Sequence, residues 1–242
     1  MSWLGVLLVG LACTDLVHSV RPARLLPEAS GAAIAVVLAL LAGLTAPRDL
    51  VALLVVVLLV LAWGQTVTRG FGRGPVWLPL VVLAGSLALA VALGGVASPA
   101  GGLVGDWLGT APLPVLDGIG ADRFLLLLGA FGVQLSTGNV VVRLVLATTG
   151  TLNPAKDGSL PPTSLKGGRL LGPMERVFIV ALGLAGQVTA ASIIVAAKGL
   201  LRFPELSSPD EQSEVHRMTE YFLVGSFTSW LVALSALVLL GQ

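Results

Sequence analysis

The sequence predicts an all-α fold, a polytopic transmembrane helical bundle of about seven spans that forms a single membrane domain over residues 1–242. Composition and the pattern of apolar residues support this prediction. Hydrophobic residues make up 55% of the chain, charged residues only 11%, and the mean hydropathy is +0.95. Soluble domains carry about 25% charged residues. The apolar residues also fall into long Leu, Val and Ala blocks between short polar breaks, as expected of a chain embedded in lipid.

Seven segments are long enough to cross a hydrocarbon core of about 30 Å, which needs roughly 17–25 apolar residues as helix. They are residues 2–20, 31–46, 49–67, 75–97, 122–148, 173–200 and 218–240. The second segment is the shortest and runs directly into Pro47, Arg48 and Asp49, which indicates a tight hairpin with the third. Residues 98–121 are rich in Gly and Pro, so we expect an interfacial or re-entrant loop there, because lipid does not tolerate irregular backbone.

The distribution of Lys and Arg predicts the orientation, because cytoplasmic loops carry an excess of these residues. With seven spans, nine basic residues fall on the side of the first loop. Five fall on the other side, namely Arg48, Arg123, Lys198, Arg202 and Arg217. We therefore expect a multi-pass protein of the cytoplasmic (inner) membrane with its N-terminus outside and its C-terminus inside.

Several function classes lack support in the sequence. A net charge of +1 argues against a nucleic-acid partner. The single cysteine, Cys13, excludes an intrachain disulfide. The motifs GxxxxGK[ST], HExxH, GxSxG and CxxC do not occur, so nucleotide hydrolysis, zinc proteolysis, elbow-type serine chemistry and dithiol redox have no sequence support. We predict no metal site and no cofactor.

Charged groups inside the apolar segments are the candidates for function. Each costs about 2.5–3.5 kcal/mol at the centre of a membrane helix, so it needs a partner or a purpose. In the first span Asp15 and His18 are three residues apart and share a face. They form either a proton-handling or ligand-binding pair, or a structural contact in which Asp15 meets an arginine of another helix.

The fifth span carries a polar stripe. Ser136, Asn139 and Arg143 follow one another at spacings of three and four, so they share a helix face that ends in a cation. Such side chains often hydrogen-bond one membrane helix to another at about 0.6 kcal/mol each. Bonding between helices is therefore an alternative to ligand contact for this stripe.

In the sixth span Arg176, Gln187 and Lys198 recur every eleven residues, close to three full helical turns, which predicts that they share one face. Glu175 precedes the first of them, and Arg202 stands one turn beyond the last. The two cations near the ends either reach the lipid headgroups or bind a ligand. Gln187, near mid-depth, is predicted to be hydrogen-bonded inside the bundle or to line a cavity.

The last span begins with Glu220 and Tyr221, a carboxylate favoured by the helix dipole and a ring favoured at the interface. Small residues around Gly225 permit close approach of another helix. If the last two spans form a hairpin, Lys198 and Arg202 meet Glu220, either as a structural ion pair or as a site for a phosphate or carboxylate.

Residues 165–230 carry a recognisable pattern. Its pieces are Leu165-Lys-Gly-Gly-Arg169, Gly172-Pro-Met-Glu-Arg176, Ala185-Gly-Gln187, Ala196-Ala-Lys198, Leu201-Arg-Phe-Pro-Glu205, Glu220-Tyr221 and Gly225-Ser226. The pattern resembles an uncharacterised family of bacterial polytopic membrane proteins that is known only as a domain of unknown function. Asp15 looks like that family's N-terminal aspartate. The resemblance implies that its charged and amide residues form one constellation, but it implies no activity.

These observations predict a polar, partly cationic intramembrane pocket between spans one, five, six and seven. We expect it to bind a phosphate-bearing amphiphile such as a lipid or an isoprenoid, and whether it also processes this ligand as an enzyme stays open. The candidate acids or bases are Asp15, Glu175 and Glu220. The candidate ligand-binding residues are His18, Asn139, Arg143, Arg169, Arg176, Gln187, Lys198, Arg202 and Tyr221. The expected partners are membrane lipids, an amphiphilic small molecule, and a membrane-protein partner or a second copy of the chain.

Three other functions stay open at this point. The chain could be a small transporter or channel component with a path lined by Asp15, His18, Gln187 and Asn139. It could be a structural subunit of a larger membrane complex. It could also be an enzyme similar to the membrane-bound terpene cyclases, which have a comparable length and span number and would use a carboxylic acid.

Overall fold

The computed structural model describes residues 1–23, 25–151, 168–206 and 212–241, without the side chains of 168, 169, 198, 199, 201–206 and 212–218. The described residues form ten α-helices and no strand, which confirms the all-α class. The helices are α1 (Ser2–Val20), α2 (Leu26–Leu41), α3 (Pro47–Gly72), α4 (Leu78–Ala92), α5 (Gly102–Thr110), α6 (Ala121–Leu135), α7 (Thr137–Thr148), α8 (Gly168–Leu184), α9 (Val188–Leu206) and α10 (Gln212–Leu240).

Several of these helices are long and apolar enough to span a membrane. Within the described residues they are α1, α3 and the Thr219–Leu240 part of α10, with α6 and α7 together as a fourth if the bent pair is one span. Shorter apolar helices are α2, α4 and the Val188–Ala197 part of α9. The length and composition of these helices therefore fit a membrane protein.

Helix α1 lies at the centre of the bundle, against α2, α3 and α6. Two thirds (67%) of its apolar window is buried inside the protein, against 28% for α3 and for α10, so most of α1 is shielded from lipid. Helices α1 and α6 approach closely because glycines meet between them. A Cβ atom on Gly5 would lie 2.7 Å from the backbone carbon of Leu125, and one on Gly129 would lie 2.6 Å from Cβ of Leu8.

Pairwise contacts fix the helix directions. Gly5 lies against Leu125 and Ala12 against Ser136, so α1 and the α6–α7 pair run in the same direction. Helix α3 also runs with α1, because Trp3 bonds to Asp49 at the start of α3, and Asp15 bonds to Trp63 further along it. The end of the bundle where α1 and α3 begin is called the Met1 end, and the opposite end the Val20 end.

At the Met1 end, carboxylates in the first turns of two helices hold the loop that follows α4. Asp49 of α3 accepts bonds from Trp3 Nε1 at 2.9 Å and from the backbone N–H of Ser98 at 3.3 Å. Asp122 of α6 accepts the backbone N–H of Ala100 at 3.1 Å. A carboxylate in a first helical turn is favoured by the helix dipole, so both acids have a structural role here. The predicted loop over residues 98–121 contains α5.

Several segments differ from the sequence-based boundaries, and the fourth, residues 75–97, is shorter because α4 ends at Ala92. Helix α2 begins at Leu26 and not near residue 31, because Pro27 fits the first helical turn and Glu28 is buried there. The fifth predicted span is two helices, α6 and α7, bent by 48°. The sixth, residues 173–200, was wrong as a single span. Helix α8 ends at Leu184, and α9 begins at Val188.

The chain reverses between α8 and α10. Arg176 of α8 bonds to Ser229 of α10, and Gly183 lies against the side chain of Leu237, so the two helices run in the same direction. The intervening residues must return to the starting end, and Gly186, with φ of +72°, makes the turn that begins this return. Arg176, Gln187 and Lys198 therefore do not share one helix face.

Candidate functional site

The break between α6 and α7 is the point where the polar residues gather. Ser136 leaves the helical conformation, with φ of −126° and ψ of −69°. Its hydroxyl donates to the carbonyl oxygen of Ala12 at 2.8 Å, which fixes the break against α1. In a continuous helix the Gln134 carbonyl would accept the N–H of Gly138. Here it accepts from an arginine of α8 instead.

That arginine is Arg176, which is only 1% exposed. Its Nε and Nη2 donate to the carbonyl oxygen of Gln134 at 3.1 and 2.8 Å. Nη2 also donates to Oδ1 of Asn139 at 2.8 Å, and Nη1 to the hydroxyl of Ser229 at 3.1 Å. The guanidinium thus joins α6, α7, α8 and α10. Because the last carbonyls of a helix carry partial negative charge, a cation at the end of α6 is stabilising.

Gly138 gives the guanidinium room. A Cβ atom at this position would lie 2.6 Å from Nε and 2.8 Å from Cζ of Arg176. Any side chain here would displace the arginine from the Gln134 carbonyl. The glycine next to the break is therefore required by the position of Arg176.

Asp15 lies on the other side of the break, on α1, and is 6% exposed. Both of its carboxyl oxygens accept the indole N–H of Trp63, at 3.2 and 3.1 Å. The buried hydroxyl of Thr137, the first residue of α7, is close enough to interact with this carboxyl but is not in good hydrogen-bonding geometry. A carboxylate near the first residue of α7 is favoured by the partial positive charge of that helix end.

The two charged groups therefore serve opposite ends of one broken helix. Arg176 binds the carbonyl end of α6, and Asp15 faces the amide end of α7. Irregular backbone at membrane depth is tolerated only where protein groups or water satisfy it. Arg176 and Asp15, two charges that are unusual in apolar segments, therefore stabilise this break.

A second buried carboxyl lies nearby on α2. Glu28 is 2% exposed, packs against Gly64 of α3 and accepts Nε2 of Gln65 at 3.2 Å through Oε1. Its other oxygen, like the side-chain oxygens of Gln134 and Thr137, is buried without a hydrogen-bond partner. Sequence reasoning missed Glu28 because it placed the start of α2 too late. The Pro27-Glu28 pair is a helix-start signal that could have identified it.

Glu175 contacts α10. It is 6% exposed and accepts the indole N–H of Trp230 at 2.8 Å. This contact links α8 to α10. Arg176, the next residue in the sequence, also contacts α10 but reaches the break as well. Trp63 and Trp230, each bonded to a buried carboxylate, were not singled out because tryptophan counts as apolar in a hydropathy scan.

The structure thus brings Asp15, Asn139 and Arg176 together and leaves other candidates apart. The exposed candidates are His18, Arg143, Gln187, Glu220 and Tyr221. Arg143 stacks over the ring of Phe71 at 4.8 Å. Gln187 is not inside the bundle, because it forms part of the α8–α9 turn, where its backbone N–H donates to Leu182 O. The side chains of Arg169, Lys198 and Arg202 lie outside the part of the chain that the structure describes.

An apolar groove of about 460 Å³ runs between α1, α2 and α6. Its lining includes Val9 and Cys13 of α1, Ala33 and Leu38 of α2, and Gly132 of α6. The carbonyl of Gly132 accepts bonds from Ser136, so one end of the groove adjoins the break. Within the described ranges no group of three or more His, Cys, Asp or Glu residues could hold a metal ion.

Comparison of the chain with family models, with curated proteins and with solved structures gives no match. The resemblance of residues 165–230 to an uncharacterised membrane-protein family stays a prediction.

Proposed function

We propose that the chain is a multi-pass protein of the cytoplasmic membrane that binds a phosphate-bearing amphiphile, a lipid or an isoprenoid. The observation that carries the proposal is the groove between α1, α2 and α6. Its volume, about 460 Å³, falls within the roughly 300–1,000 Å³ usual for small-molecule sites. The lining is apolar and therefore suits the hydrocarbon chain of an amphiphile. The polar residues of the α6–α7 break adjoin one end of the groove.

The headgroup would lie toward the Val20 end. Arg176 is already bonded to three protein acceptors, so the phosphate contacts are better assigned to exposed groups. His18 in the last turn of α1 and Arg21 directly after its end are both exposed. Arg21 is eight residues beyond Cys13, about 12 Å along a helix. A chain in the groove would thus carry its phosphate to the cationic end of α1.

Filling the groove tests this proposal. Ala33 lines the groove and is exposed, so Ala33→Phe adds bulk there without entering the core. We expect about a tenfold loss of the amphiphile that co-purifies in mild detergent, measured by mass spectrometry, since a lost contact of about 1.4 kcal/mol is a factor of ten. The matched control is Ala84→Phe, at an exposed position of α4, a helix that does not line the groove. Equal lipid recovery from wild type and both variants would contradict the proposal.

The α8–α9 turn changes the topology that we propose. If α2, α4, α8 and α9 each cross the membrane, the chain makes eight passes and not seven, and both termini lie at the Met1 end. This topology assigns Lys198, Arg202 and Arg217 to the Val20 side and not to the Met1 side. Only Arg48 and Arg123 stay at the Met1 end, so twelve of the fourteen basic residues are assigned to the Val20 side. The positive-inside rule then makes the Val20 end cytoplasmic.

Reporter fusions test this topology. We expect alkaline phosphatase fused after Gln242 to be active and GFP fused there to be dark, because the C-terminus is placed outside. Fusions truncated after Gly150, beyond the end of α7, serve as the control and should give the opposite pair of signals. A fluorescent GFP fusion at the C-terminus would restore the topology expected from seven spans.

A small carrier is a second candidate, favoured by the broken helix. Many transporters bind their substrates and ions where membrane helices are interrupted near the bilayer midplane. The α6–α7 break has this form, with a carboxylate at one half-helix end and a guanidinium at the other. A carrier of this kind needs a group at the break that changes its charge, and Asp15 occupies that position.

A further inference from the structure

Asp15 is incompletely satisfied for an anion inside a membrane. Its two carboxyl oxygens share one donor, the indole N–H of Trp63, at 3.1 and 3.2 Å. An ionised carboxylate can accept about four hydrogen bonds, and a buried charge that lacks partners is costly. Even with the nearby hydroxyl of Thr137 as a second donor, about half of this acceptor capacity stays unused, and neither donor is charged.

The charged groups on the surrounding helices do not neutralise it by direct bonds. Helix α2 contributes Glu28, another buried carboxyl, and α3 contributes the neutral Trp63. From α8, Arg176 reaches the break but gives its described bonds to Gln134, Asn139 and Ser229. On α1 itself His18 is exposed one turn beyond Asp15. Among the described residues, no cation is bonded to Asp15.

The packing around Asp15 limits what could bind there. The carboxyl is 6% exposed, held by the indole of Trp63 and faced by Thr137, and it does not line the apolar groove. A metal ion or an organic ligand would need added room. A proton needs none, and the hydroxyl oxygen of Thr137 is buried without a hydrogen-bond partner that could compete.

We propose that Asp15 is a proton-binding site at the α6–α7 break. The proton, taken from water, joins one carboxyl oxygen, and the new O–H donates to the hydroxyl oxygen of Thr137. The other oxygen keeps the indole N–H of Trp63. Binding removes the negative charge that faces the amide end of α7, while Arg176 stays on the carbonyl end of α6. The break therefore has two charge states.

Infrared difference spectroscopy on the full-length protein in lipid vesicles tests the site. Titrated with acid, the wild type should gain a carboxylic C=O band that is lost in Asp15→Asn and kept in Glu28→Gln. A wild-type spectrum without any band that depends on Asp15, over the pH range in which the protein stays folded, would overturn the proposal. So would a band that disappears only in Glu28→Gln.

A second variant keeps the test decisive if Asp15→Asn does not fold. Trp63→Phe removes the N–H that bonds to the carboxyl, so the band should persist at a shifted frequency. An unshifted band in Trp63→Phe would assign the proton to another group and overturn the proposal. The groove variant Ala33→Phe should leave the band unchanged, so failure of the amphiphile proposal is distinguishable from failure of this one.

Discussion

Replacing Arg176 by methionine is expected to lower the free energy of unfolding by about 3–5 kcal/mol, because three buried acceptors would each lose a donor at a cost of about 1–3 kcal/mol. Methionine keeps much of the volume but donates no hydrogen bond. The carbonyl of Gln134, the amide oxygen of Asn139 and the hydroxyl of Ser229 would then lose a donor together. Buried acceptors left without donors account for most of the expected loss.

Two variants make this result specific. Arg176→Lys keeps the charge but cannot reproduce the planar fork, so we expect an intermediate loss. Arg143→Met removes an exposed arginine of the neighbouring helix that stacks over Phe71, and should cost about 1 kcal/mol or less. Reversible unfolding in mixed detergent micelles measures all three. If Arg176→Met and Arg143→Met unfolded at the same denaturant concentration, Arg176 would not be holding the break.

The second large effect is expected from Gly5→Leu, at the contact of α1 with α6. Even a Cβ atom at Gly5 would lie 2.7 Å from the backbone carbon and 2.8 Å from the next backbone nitrogen of α6. Backbone atoms cannot move aside as a side chain can, so α1 and α6 would have to separate. We expect a loss at or above the upper end of the roughly 1–3 kcal/mol usual for overpacking, seen as a loss of folded protein in size-exclusion chromatography.

The control for this variant is Gly85→Leu on α4. Gly85 is exposed, and nothing lies within 4 Å of a Cβ added there. Leucine favours helix over glycine by about 1 kcal/mol, so this substitution should be neutral or stabilising. Equal amounts of folded protein from Gly5→Leu and Gly85→Leu would show that α1 and α6 do not pack as described.

The helical class and the membrane character were predictable because they depend on composition. Apolar runs of sufficient length give α1, α3 and the apolar part of α10 to within several residues. The α8–α9 turn was missed because glycine is common inside membrane helices, so Gly186 carried no clear signal. The length of residues 173–200 was the better indication, since it exceeds what a single crossing needs.

The candidate site was predictable in part. Asp15 and Arg176 stand out because charges in apolar segments are rare. Their partners could not be read from the sequence, because backbone carbonyls such as that of Gln134 are available at every position and only a broken helix releases one. The same limitation applies to Trp63, whose N–H matters only once α3 lies beside Asp15.

The central claim is that Arg176 holds the carbonyl end of a broken helix. Solid-state NMR on membranes containing the protein, with ¹⁵N-labelled arginine side chains and ¹³C-labelled glutamine carbonyls, tests it most directly. We expect a dipolar contact between a guanidinium nitrogen and a glutamine backbone carbonyl, in keeping with the 2.8 Å bond from Nη2 to Gln134, and its loss in Arg176→Met. Absence of this contact in the wild type, or its persistence in Arg176→Met, would contradict the claim.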